Sequence, residues 1–140
     1  MANLIYNKFK EYCGDNTIDL DNDTFKCALL TDSHTPSAGY TLFGDLSSDE
    51  VSGSPGYTAG GVALTNITWG ESGDGISYFN ADDIQWTSAT LTARYAVIYD
   101  DTTTSPPDAL VCMYDFGSNQ IVNQGTFTLQ LNPLGLLKIS

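Results

Sequence analysis

Past residue 14 the chain shows no helical periodicity. Short β-type runs cut by turn residues follow one another instead, and that succession constrains the fold more than any other feature. Residues 24–31 place Phe25, Cys27 and Leu29 on one face of a strand. Residues 62–69, 76–79, 84–87, 90–99, 109–116, 126–131 and 136–139 repeat the pattern. They are rich in Thr, Tyr, Val, Ile and Phe and bounded by Gly, Asn, Asp and Pro. About seven or eight antiparallel strands of this kind predict an all-β domain, a β-sandwich or barrel-like sandwich. The run 90–99 turns apolar on both faces in its second half, as a central strand covered on both sides does. The run 126–131 alternates, as a strand with one wet face should.

Ahead of the strands, Ile5, Phe9 and Tyr12 fall at i, i+4 and i+7. With Asn3 as N-cap and Gly14 as stop, this spacing predicts one short N-terminal helix over about residues 4–13. Residues 32–40, 47–61 and 100–107 read as loops, the last closed by paired prolines that end the preceding strand. Loops as long as 47–61 are usually functional or mobile, and this one presents Tyr57 among small residues, where exposure is expected.

A chain of 140 residues with 41% hydrophobic content supports one core, so residues 1–140 read as a single domain. No stretch approaches the ~18 apolar residues of a membrane helix. The N-terminus lacks the apolar segment and cleavage site of a secretory signal, so folding in a cytosol is expected. Five Lys and Arg against 17 Asp and Glu leave a net charge of −12, which repels a phosphate backbone and argues against nucleic-acid binding. The basic residues Lys8, Lys10, Lys26, Arg94 and Lys138 are scattered, and Arg94 is expected to answer a carboxylate near its strand start.

The candidate chemistry is thin. Cys13, Cys27 and Cys112 fit neither a zinc ribbon nor a redox pair, and Cys27 and Cys112 read as buried thiols. Asp19, Asp21 and Asp23 open like a calcium loop, but Thr24 and Leu30 stand where an EF-hand needs Gly and Glu. An Asx-rich turn leading into a strand is the simpler reading, beside an irregular oxygen cage for a hard cation. Asp82-Asp83 and Asp100-Asp101 pair carboxylates at strand ends, where exposed turn positions are the common case. A triad would have to recruit His34, the chain's one histidine, without a G-x-S-x-G elbow to present a serine. Trp69 and Trp86 sit in strand runs, where core packing is the usual fate, while Tyr40, Tyr57 and Tyr78 are candidates for an exposed aromatic patch. No catalytic residue, cofactor or metal ligand is assigned.

One further pattern covers most of the chain. It runs Ala81-Asp82-Asp83-Ile84-Gln85-Trp86-Thr87, then Thr92-Ala93-Arg94-Tyr95-Ala96-Val97-Ile98-Tyr99-Asp100, then Tyr114-Asp115-Phe116-Gly117. Gly125-Thr126-Phe127-Thr128-Leu129-Gln130 and a closing Gly135-Leu136-Leu137-Lys138-Ile139 complete it. Together with the short helix and the Thr-Phe-Lys-Cys-Ala-Leu-Leu-Thr strand, this resembles small virion structural proteins of tailed phages; the loop 47–61 lies outside the resemblance. The resemblance implies a non-enzymatic virion protein, made in the host cytoplasm. Its expected role is a capsid decoration (cement) subunit on the shell exterior, with the major capsid protein and itself as partners. Local three-fold sites on a shell would favour a trimer closed by heterologous contacts. The alternative is a tail, neck or baseplate component, including a receptor- or glycan-binding module. No membrane or nucleic-acid partner is implied. The docking candidates are the apolar N-terminal residues Leu4, Ile5 and Phe9 and the loop residue Tyr57. The competing reading of the first three is that their face simply caps one open end of the sandwich.

Overall fold

The structure, a computed structural model, describes residues 4–131 and 137–139. Its elements are β1 (Leu4–Ile5), α1 (Asn7–Gly14), β2 (Phe25–Leu30) and two 3-10 turns (Phe43–Asp45, Ser47–Asp49), then β3 (Val62–Ala63) and β4 (Thr68–Glu71). β5 (Ser77–Asn80), β6 (Ile84–Thr104), β7 (Pro107–Leu129) and β8 (Leu137–Ile139) complete the chain. A five-stranded sheet has the order β1-β7-β6-β2-β3, and a three-stranded sheet the order β4-β5-β8. Every pairing is antiparallel. This is the mainly-β sandwich with one short helix that the strand runs predict.

Two observations locate the core. Phe25 of β2 meets Phe79 of β5 edge-to-face with ring centres 5.0 Å apart, which ties the two sheets together. Tyr95 to Asp100 of β6 are all buried, flanked by β2 on one side and β7 on the other. The doubly apolar half of that run is therefore the central strand, as expected. Each large aliphatic side chain enclosed there contributes roughly 1.5–3 kcal/mol.

Several boundaries differ from the sequence reading. The runs 84–87 and 90–99 form one strand, and 109–116 joins the run 126–131 in another, which ends at Leu129. Breaks between them become bulges, where the register of β6 against β7 shifts and Ser88 and Gln124 take positive φ. A straight strand of 21 residues would reach ~70 Å at ~3.3 Å per residue, so such bulges are needed to bend it around a small core. The expected loop 100–107 contracts to a turn at Ser105 and Pro106. Beyond Asp100 the strand is held by the Asp101 N–H on the Thr24 carbonyl (2.9 Å) and the Thr24 N–H on the Thr102 hydroxyl (2.8 Å). Pro107 heads the return strand, a position that needs no N–H.

The helix begins later than predicted, at Asn7, with Tyr6 at its N-cap; the proposed cap Asn3 lies outside the described residues. Leu4 and Ile5 join the sheet instead, opposite Met113 and Cys112, because the β7 edge offers their backbone groups a ladder. The run 62–69 divides between the sheets as β3 and β4, with Asn66 at positive φ between them. The start of β8 at residue 136 also lies outside the described residues.

The loop 47–61 is stitched onto the sheet. The Val51 N–H donates to the Leu29 carbonyl (2.9 Å), and the Thr90 N–H to the Pro55 carbonyl (3.0 Å). Gly61, at φ +81°, passes so close to β2 that a Cβ would lie 1.9 Å from the Cys27 carbonyl oxygen. Only glycine fits that approach.

Candidate docking site

The N-terminal segment builds the site. Tyr6 is fully buried, and its N–H donates to the Val111 carbonyl (3.2 Å). The Asn7 N–H donates to the Ala38 carbonyl (2.9 Å), which fixes the direction in which α1 leaves the sheet. Phe9 then turns inward, 2% exposed. Between α1 and β8 an open cavity of about 330 Å³ remains, lined by Ile5, Phe9, Lys10, Cys13, Leu137 and Lys138. Of the nominated residues, Ile5 and Phe9 meet here. Leu4 is half-buried on the same strand and does not line the cavity.

Charge distinguishes this cavity. Lys8 pairs with Glu11 (2.5 Å), Lys26 with Asp101 (3.8 Å) and Arg94, as expected of it, with Asp115 (2.8 Å). Lys10 and Lys138 are exposed and have no ion-pair partner among the described residues. Two cations without an ion pair among the described residues thus stand beside an apolar recess on a protein of net charge −12. Burial, with Asp15 second, lifts the Cys13 thiol to about 11, so it sits in the wall as a neutral packing group. The recess therefore joins an apolar wall to two exposed cations, Lys10 and Lys138.

Tyr57 requires a correction. Its ring is half-buried and 6.3 Å from the Trp86 ring, not exposed at a loop tip. Its hydroxyl donates to Glu50 Oε2 (2.5 Å) and accepts the Leu29 N–H (2.9 Å). Burial first, then the Glu50 carboxylate, push its pKa far above the usual phenol range. Tyr57 is a strut that pins the loop to β2. Tyr40 and Tyr78 are half-buried as well, and so is Trp69, while Trp86 is 2% exposed in the core.

The other candidates resolve into structure. Asp19 accepts the N–H groups of Asp21 (3.0 Å) and Asn22 (3.2 Å), and Asp23 accepts that of Asp19 (3.0 Å), an Asx-type turn. Among the described residues no group of three or more His, Cys, Asp and Glu side chains is placed to hold a metal. Asp82 accepts the Asn66 amide (2.6 Å) and Asp83 the Leu131 N–H (2.8 Å). His34, 3% exposed, sets Nδ1 3.0 Å from Asp49 and packs edge-on against Tyr95. Cys27 and Cys112 are fully buried, and burial raises both thiols, Cys112 to about 12.

Asp100 differs from the exposed turn carboxylate expected of it: it has no exposed surface. The Thr102 N–H donates to its Oδ1 (2.9 Å), while Oδ2 meets no donor. Burial, then the facing Asp23 carboxyl, lift its pKa to about 8.

Sequence reasoning passed over Lys10 and Lys138 as scattered charges, because nothing local brings α1 to β8. Among the described residues no helix is long and apolar enough to cross a membrane. Compared with known proteins, the chain matches no family model, no curated protein and no solved structure.

Proposed function

We propose that the chain is a non-enzymatic assembly protein, a decoration subunit of a tailed-phage capsid, which docks on the shell through the cavity between α1 and β8. The observation that carries this reading is the apolar recess lined by Lys10 and Lys138, which have no ion pair among the described residues, on a protein otherwise strongly acidic. Such a surface fits an apolar side chain presented among carboxylates on a partner, since complementary charge steers encounter and fixes register. The resemblance of the β-strand pattern to virion proteins and the solubility that net acidity confers point the same way. Co-sedimentation with capsids lacking the protein tests it. The native chain is expected to saturate at one fixed ratio to the major capsid protein and to raise the heat resistance of the shell. The double variant Lys10→Glu/Lys138→Glu is expected to bind at least about tenfold more weakly. Association with isolated tails or host envelope, and none with capsids, would move the protein to the tail.

A further inference from the structure

We propose that the outer side of β7 between Gln120 and Thr128 is a surface through which two copies of this chain associate about a two-fold axis. The proposal deepens the assembly reading above, and it replaces the three-fold ring with an isologous pair.

Three observations converge on this stretch. First, it is an open edge: β1 covers β7 only at Cys112 and Met113, and among the described residues Gln120 to Thr128 pair with β6 alone. Second, it is unprotected. Exposed edges are normally blunted by charge or proline, yet the chain carries no charged residue from Phe116 to Leu137. With a net charge of −12, copies of this protein repel one another over most approaches; the edge adds no charge of its own, and Glu50 and Asp32 are the carboxylates placed beside it.

Third, the edge carries both halves of a contact. Ile121 is 75% exposed, the one large hydrophobic side chain so placed among the described residues. Ile121 forms one wall of an open recess of about 440 Å³ lined by β7 residues alone, with Phe116, Val122, Phe127 and Leu129 supplying the rest of its apolar surface. A protrusion and a recess side by side on one strand are self-complementary: a two-fold axis sets each Ile121 into the recess of the other copy. The register shifts that flank Gln120–Val122 and precede Gly125 interrupt any long backbone ladder, so this side-chain fit sets the register. A partner rich in charge would leave those charges unpaired against the patch, which is why a second copy is the fitting occupant.

Sedimentation velocity of the purified chain over a concentration series is the test. The native protein is expected to pass from the 15.1 kDa chain mass to twice that value. Ile121→Leu should follow it, whereas Ile121→Glu, which puts a charge into the contact, should weaken association at least about tenfold. Circular dichroism should show the native fold and melting in that variant because Ile121 is exposed, and Thr126→Glu should give the same loss from a second exposed position. Added salt should strengthen association by screening the like charges. A single-chain mass at every concentration, a three-chain mass, or native-like association of folded Ile121→Glu would overturn the proposal. The free protein is measured here and the shell complex there, so failure of one leaves the other readable.

Discussion

A carboxyl group with no exposed surface, facing a second carboxyl, gives the stability of this protein one pH-dependent contribution of known sign. Asp100 holds a proton up to about pH 8 in the folded chain, whereas an unfolded aspartate loses it near pH 4. Between those values the folded state binds more protons than the unfolded one, so stability falls as pH rises through the window and levels off above it. Asp100→Asn keeps an acceptor for the Thr102 N–H and offers Asp23 a permanent donor. Its unfolding free energy is therefore expected to match that of the native protein near pH 4 and to exceed it above pH 8, by an amount on the order of a few kcal/mol, with the melting temperature following. Thermal melts of both proteins across that range check this; parallel curves would mean that the pair does not titrate in the folded state. Nothing in Asp100-Asp101 as a dipeptide announces the burial. The signal lay upstream, in the doubly apolar run ending at Tyr99, which marks a strand covered on both faces right up to the aspartate.

Elements whose information is local were legible. β2 and β5 fall within a residue or two of the runs that predict them, because alternation and flanking turn residues lie in the same few positions. Elements decided by distant partners were not. Leu4 and Ile5 continue a helical pattern in sequence but are claimed by the β7 edge, and Thr102 to Thr104 look like a loop until Thr24 meets them. The cavity between α1 and β8 shares this character: Ile5 and Phe9 were nominated from the helix pattern, while Leu137 and Lys138 complete the wall from the far end of the chain. The loop 47–61 is the clearest case, since its composition suggests a free loop and its hydrogen bonds tie it to β2 and β6. Gly61→Ala adds a Cβ against the Cys27 carbonyl at a positive φ and is expected to cost about 3 kcal/mol, read by denaturant titration. Gly53→Ala, also at positive φ but with open space around it, is expected to cost less, since it adds backbone strain without a clash. Equal losses would refute the close-approach argument.

For the molecule as a whole, repulsion among its acidic groups outweighs the few exposed ion pairs, which are individually worth little. Raising ionic strength from about 0.01 M to about 0.15 M shortens the screening length from ~30 Å to ~8 Å and should raise the melting temperature. An increase of roughly 2–4 °C by calorimetry is expected, and a decrease would show that the ion pairs dominate. β7 also has a mechanical consequence. It pairs with the N-terminal strand at Cys112 and bears Ile121 at the opposite reach, roughly 20 Å further along at ~3.3 Å for each β6 position from Ile98 to Thr92 opposite it. If the proposed contacts hold, one continuous strand joins the anchorage on a shell to the neighbouring subunit. Pressure that spreads the shell then pulls along β7, loading its ladder to β6 in shear, many hydrogen bonds at once, instead of peeling them singly. The flanking bulge at residues 116–119 is where such a tie would stretch first.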